Sequence, residues 1–185
     1  EDATVCGNAV VGGHATVSED ATVCGNAVVC GHATVSGDAK VSGNATVSGN
    51  AKVSGNAWIS GFSTVSGDAW VGENAKVNGD AWISGNAWVG ENAKVNGDAW
   101  ISGNAVVSGH ADYIVFKNWW SSGRYFTWTR SNDMWRVGCF FGTGEELVAK
   151  AYEDSEESGR EYERIVNYVN EIKKGNNGNR NKREG

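Results

Sequence analysis

Residues 72–89 read GENAKVNGDAWISGNAWV, and residues 90–107 read GENAKVNGDAWISGNAVV. The two stretches differ at one position, Trp88 against Val106. Working outward from this copy, every sixth residue from Val5 to Val107 is Val or Ile. Two residues before each sits Ala, with Ser63 the one exception. Two residues after each comes Gly or Glu, followed by Asn, Asp, His or, once, Phe62. The unit is a hexapeptide, A-x-V-s-G-n, repeated eighteen times without an insertion. A fixed period of this kind marks stacked supersecondary units.

The unit dictates its own geometry. Residues two apart in a short strand share a face, so Ala and Val point inward together and the residue between them points outward. The Gly-Asn pair supplies a turn, because Gly takes a positive φ without steric cost and Asn, Asp and His tolerate the left-handed region. One hexapeptide cannot bury its apolar side, but stacked turns can. The copied length is eighteen residues, so three hexads make one coil. Eighteen hexads then predict six three-sided coils over residues 1–111. At the strand spacing of about 4.8 Å, the prism is about 29 Å long.

Over residues 3–111 this pattern resembles the hexapeptide-repeat proteins. The resemblance implies a left-handed parallel β-helix, an exception to the right-handed crossover rule. Many members are acyltransferases that work as trimers, with a His general base in a cleft between subunits and a loop extruded from the coils. This chain has no such insertion, and His14, His32 and His110 all occupy the turn slot where Asn or Asp usually stands. An acyl-CoA-dependent transferase therefore rests on fold analogy alone and is kept as an alternative.

A period of eighteen sorts the outward residues onto faces. The first face carries Thr4, Thr22, Lys40, Trp58, Lys76 and Lys94; the second Val10, Val28, Thr46, Thr64, Trp82 and Trp100; the third Thr16, Thr34, Lys52, Trp70, Trp88 and Val106. Trp82 then adjoins Trp100, and Trp70 adjoins Trp88, in two short ladders. Such ladders either stabilise the sheet and pack under another part of the chain, or form an interface for a second copy, a partner protein or a flat ligand. The Thr rows suggest ice binding as a further alternative, but Lys and Trp interrupt them.

Composition bounds the rest. The 185 residues carry a formal charge of −6 and no Pro. Residues 1–111 hold ten acids and four Lys, with neither Arg nor Leu, whereas residues 112–185 hold twelve acids and twelve bases. That shift places a boundary near Ala111. Mild acidity speaks against nucleic acid as a partner, and no apolar run suits a membrane. No signal peptide is visible, but the chain starts at Glu1 inside a repeat; the cytoplasmic expectation comes from its cysteines, which suit a reduced state. The four Cys do not form a disulfide framework. Cys6 and Cys24 are one coil apart and within reach of each other, but Ser fills the same slot elsewhere, so both read as small residues in a ladder. No metal set, catalytic residue or cofactor motif emerges.

After Ala111 the period breaks. DYIVFKNWW, GRYFTWTR and MWRVGCFF read as three strands, with SSG and SND as turns. Thr143 and Glu146 form a capping box ahead of a first helix. EYERIVNYVNEIKK is a second helix, with Tyr162, Ile165, Val166, Val169 and Ile172 on one face. Residues 112–174 thus form a small α+β unit, too small for an independent core and suited to covering the last coil. Residues 175–185 read as a disordered polar tail. WRVGCFFGTGEELVAKA resembles the short C-terminal domain that follows such repeats in phage, prophage and gut-bacterial proteins. That resemblance implies phage–host interplay, such as inhibition of a host defence by sequestration, in the host cytoplasm if the chain is phage-encoded. In the cap, Trp119, Trp120, Arg124, Tyr125, Trp128, Arg130, Trp135 and Arg136 mix aromatic and guanidinium groups as interfaces do. The sequence as a whole predicts a non-catalytic, self-associating (dimeric or trimeric) scaffold that binds a host protein or small ligand through surface aromatics.

Overall fold

The computed structural model describes residues 2–109 and 112–180, with side chains through Lys174. Each hexad forms one two-residue strand, eighteen in all, from β1 (Thr4–Val5) to β18 (Val106–Val107). Every strand pairs in parallel with the strand three hexads on, which gives three six-stranded sheets and six coils. The register is the eighteen-residue period itself: Thr4 faces Thr22, Trp58 faces Lys76, Trp70 faces Trp88 and Trp82 faces Trp100. Between coils the backbone closes a ladder, as where Thr4 N–H donates to the Ala21 carbonyl at 2.9 Å and Asn8 N–H to Gly25 at 2.7 Å. The Ala and Val or Ile columns from Ala21 to Val107 are buried almost completely. Ser63 takes an Ala slot in this core, and its hydroxyl stays satisfied by donating to the Ser60 carbonyl at 2.8 Å.

The turns differ from expectation in one respect. Positive φ falls only on the Gly-or-Glu position, never on the Asn, Asp or His that follows. Three Glu residues, Glu19, Glu73 and Glu91, hold φ of 59°, 54° and 50° there. The following Asn side chains instead link neighbouring coils. Asn8 donates to Asn26 at 3.2 Å, Asn26 to Asn44 at 3.0 Å, and Asn50 to Asp68 at 2.9 Å. His14 and His32 stack in the same way, ring centroids 4.9 Å apart.

A second correction concerns Cys6 and Cys24, which are not separate small residues but a disulfide joining the first two coils. Cys30 and Cys139 are free. Among the described residues, the inward Val5 and Val11 of the first coil are 50% and 37% exposed.

The other end is covered. After the coils come β19 (Tyr113–Lys117), β20 (Tyr125–Thr129), β21 (Met134–Val137) and β22 (Phe140–Gly142), an antiparallel meander in that order. The expected third strand is two strands, because the chain reverses at Gly138, where φ is 55°. Helices α1 (Gly144–Asp154) and α2 (Glu156–Arg180) pack together behind the sheet. The Thr143–Glu146 capping box is formed. α2 runs past the expected start of the tail. Residues 175–180 are helical, an extension by propagation from the packed part rather than by the propensity of its Gly and Asn. Residues 181–185, His110 and the boundary residue Ala111 lie outside the described residues.

Period-two alternation gives the meander two faces. Phe126, Trp128 and Trp135 join Leu147, Ala151, Tyr162, Val166 and Val169 in a core against the helices. Tyr113 and Val115 point the other way and close the solenoid core.

Two expectations follow. At Gly79, φ is +72° and a Cβ would stand 2.7 Å from the Gly97 nitrogen. Gly79→Ala should therefore destabilise the coils by at least about 1–2 kcal/mol, the cost of left-handed backbone alone. Urea unfolding checks this. Reducing the disulfide removes the covalent tie between the first two coils, so the first coil should lose protection. Hydrogen exchange over residues 4–17 should rise with reductant in the native protein and not change in Cys6→Ser/Cys24→Ser.

Candidate binding surface

Outward residues on a two-residue strand have no sheet partner above them, so what holds a large ring there must come from the rows beside it. Trp58, Trp70 and Trp82 show one solution. Each donates its Nε1–H to the serine sixteen residues earlier, on the preceding coil: Ser42 at 3.3 Å, Ser54 at 2.9 Å and Ser66 at 3.4 Å. The indoles are therefore oriented without being covered, and stay 47%, 47% and 45% exposed. Lys76 Nζ lies 5.8 Å from the Trp58 ring centre, a cation–π contact within the first face.

Local sequence makes room for two of the rings. In the hexads carrying Trp70 and Trp88 the Ser-Gly turn becomes Gly-Glu. A Cβ on Gly72 would stand 3.0 Å from Trp70 Nε1, and one on Gly90 would stand 2.4 Å from the Trp88 ring. The glycine is spent on space for the indole, and Glu73 and Glu91 accept the strained φ beside it. Both expected ladders are present. Trp82 and Trp100 stack with centroids 5.0 Å apart and planes 10° apart; Trp70 and Trp88 meet edge to face at 6.3 Å and 67°. Phe62, which composition marked only as an odd turn residue, is 67% exposed at the corner between Trp58 and Thr64.

The cap meets the last coil through hydroxyl groups. Trp100 N–H donates to Thr127 Oγ1 at 2.9 Å and Val106 N–H to Ser131 Oγ at 2.7 Å. Tyr113 donates its hydroxyl to the Lys94 carbonyl at 2.9 Å and accepts Asn96 N–H at 3.3 Å. Burial pushes the Tyr113 phenol up, offset in part by the Asn96 contact. Arg136 lays its guanidinium 4.0 Å from the Trp100 ring centre. Since Trp82 covers one face of that indole, Arg136 takes the other, and Trp82 keeps the free end of the stack. Trp100 Nε1 and Arg136 Nε are both buried without a partner at this contact. Alongside runs a groove of about 250 Å³, lined by Asp80, Asp98, Trp82, Trp100, Arg124 and Tyr125.

The thirteen residues singled out from the sequence thus part company. Trp58, Trp70, Trp82, Arg124 and Tyr125 are exposed, and Trp88, Trp100 and Arg136 are half-buried around the ladders. Trp119 is exposed at 75% and stands edge-on to Trp120 at 6.1 Å, away from the ladders' own contacts. Trp120 is half-buried against Phe126 and Tyr162. Arg130 lines a separate hollow with Asp133 and Lys173. Trp128 and Trp135 leave the candidate surface altogether. Both are 2% exposed because strand alternation turns them toward the helices, and Trp128 Nε1 donates to Asp133 at 2.8 Å. Among the described residues no group of three His, Cys, Asp or Glu side chains is placed to hold a metal ion. No helix is long and apolar enough to cross a membrane.

Thr127→Val should test the cap contact. It leaves the Trp100 N–H without its acceptor, at a cost of about 1–3 kcal/mol. Thermal unfolding should show the loss, and hydrogen exchange should rise at the last coil before the first.

Comparison with known proteins agrees with this architecture over one coil's length. A family described as the YdcK beta solenoid repeat matches residues 39–55. No curated protein and no solved structure matches the chain. Six coils in an unbroken eighteen-residue register make the chain a hexapeptide-repeat-like β-helix.

Proposed function

We infer that the protein is a non-catalytic scaffold that binds through its aromatic surface and associates with a second copy through the same faces. The observation that supports this is the state of Trp58, Trp70 and Trp82. Each ring is tied at its N–H and left about half exposed. Ordering a side chain before contact lowers the entropy lost on binding. Trp is also the residue type over-represented among the few that dominate interfaces. The two ladders flank one corner, so Trp70, Trp82 and Trp88 offer a single surface around an edge of the prism. Phe62 and Trp58 extend it around the next corner.

The acyl-transfer alternative draws its support from fold resemblance. His14 and His32 stack on each other at a corner of the first two coils, away from the aromatic surface. The ice-binding alternative has paired Thr rows, Thr4 with Thr22 and Thr16 with Thr34, each followed by Lys.

The test is solution mass by light scattering. The wild-type chain should run at a multiple of its 19.6 kDa. Trp70→Ser/Trp82→Ser should run as a single chain with unfolding shifted by less than about 1 kcal/mol, since exposed surface positions contribute little. A wild type that stays a single chain at every concentration, with its indoles freely quenched by iodide, would overturn self-association through this surface.

A further inference from the structure

We propose that a cavity in the cap, which shares Arg124 with the groove beside Trp82 and Trp100, binds a free α-amino acid with an apolar side chain: Arg124 takes its carboxylate, Asp154 its ammonium group, and Phe140 and Leu147 its side chain. The cavity measures about 310 Å³ and opens between the meander and the two helices. Ligand pockets run from about 300 to 1,000 Å³, so this one suits a small molecule. Its floor is apolar, with Val137, Phe140, Leu147 and Ala151.

Three of its polar lining residues, Asn118, Ser121 and Tyr162, are tied to one another and leave one proton over. Tyr162 is 7% exposed, and its oxygen accepts the Asn118 side-chain N–H at 3.2 Å. Asn118 is itself 4% exposed, and its carbonyl oxygen accepts both the backbone N–H and the hydroxyl of Ser121, which fixes the amide's orientation. The amide therefore presents its N–H to Tyr162, and the Tyr162 proton is left to donate. Among the described residues no group accepts it. Burial pushes this phenol up, so it remains a donor at neutral pH. A phenol that accepts from Asn118 keeps its own proton to give, and in the wall of a cavity a ligand can accept it.

The charges at the mouth select the ligand. Arg124, Lys150 and Asp154 line the cavity. None of them appears among the three ion pairs of the described residues, although Lys150 and Asp154 are spaced i, i+4 on α1. Arg124 and Lys150 bring positive charge and Asp154 negative charge to the same cavity, all three exposed at its mouth. A simple carboxylate satisfies Arg124, Lys150 and Tyr162 but meets Asp154 as a like charge. A simple amine satisfies Asp154 and is repelled by the two cations. A zwitterion satisfies both, and a side chain of several carbons then reaches the apolar floor. A peptide terminus carries one of the two charges and not the other.

Calorimetry of the full chain with L-leucine tests this, alongside 4-methylpentanoate, which lacks the ammonium group, and 3-methylbutylamine, which lacks the carboxylate. L-Leucine should bind, and each analogue should bind at least about tenfold more weakly, the effect of losing one charge-assisted contact. Asp154→Asn should weaken L-leucine about tenfold and, by removing a like charge, strengthen 4-methylpentanoate. Ser122→Trp, an exposed change at the mouth, should block binding without unfolding the cap. Trp70→Ser/Trp82→Ser should bind L-leucine as the wild type does, so this proposal and the aromatic-surface reading fail separately. No heat with L-leucine, equal binding of 4-methylpentanoate, or an Asp154→Asn variant of unchanged affinity would overturn the proposal.

Discussion

The structure depends on one constraint: each coil must hydrogen-bond to the next with the same residues opposite one another. Parallel pairing at an eighteen-residue offset is what makes columns out of a linear repeat. Once Val5 stands over Val23 and Ala21 over Ala39, a two-residue strand too short to be stable alone becomes one rung of a six-rung ladder. The core is then built from small parts, Ala and Val or Ile, because three sheets converge on a narrow axis. A single inserted residue would move one hexad's inward set outward, since the side-chain period is two. The unbroken run of eighteen hexads is therefore a structural requirement as much as a record of duplication.

A ladder of coils needs its last rung covered, and the cap supplies what a seventh coil would. Thr127, Ser131 and Tyr113 offer oxygens to the N–H groups of Trp100, Val106 and Asn96, while Tyr113 and Val115 cover the apolar axis. These contacts answer the difficulty of an edge whose backbone groups and apolar interior would otherwise face water. The Cys6–Cys24 bond adds a covalent tie between two successive coils, along the same eighteen-residue offset as the hydrogen-bond ladder.

Most of this was legible in the residues. The coil count, the three faces, the Trp82–Trp100 and Trp70–Trp88 neighbours and the cap all follow from periodicity, because in a solenoid a column in sequence is a column in space. What periodicity does not carry was misjudged. The Cys6–Cys24 bond rests on one pair in a slot otherwise filled by Ser, Gly, Asn and the free Cys30, so no repeat signal marks it. The meander's turn at Gly138 lies inside an apolar run that reads as one strand. Trp128 and Trp135 look like Arg124 and Tyr125 in a list of aromatic and basic residues. Only the alternation of a paired sheet shows that one pair faces the helices and the other faces water. Asn at the corners has left-handed tolerance by type, yet the fold uses its amide, because the preceding Gly or Glu already makes the turn.

The substitution of Gly-Glu for Ser-Gly shows how the repeat adapts to its own decoration. A Trp on the outward position needs space over the next residue, and Gly72 and Gly90 supply it. The turn's left-handed residue then falls to Glu73 and Glu91, at a backbone cost of order 1–2 kcal/mol each. The N–H contact with the coil before does not depend on this choice: Trp58 and Trp82, followed by Ser60 and Ser84, make it, and so does Trp70, followed by Gly72. The Glu turn is not confined to the Trp hexads, since Glu19 holds φ of 59° after Ser18 in the hexad that carries Thr16. At Trp70 and Trp88 the residue before the Glu is a glycine, and a Cβ there would collide with the ring. The outward indole thus constrains its own hexad, in a repeat whose other positions are constrained from coil to coil.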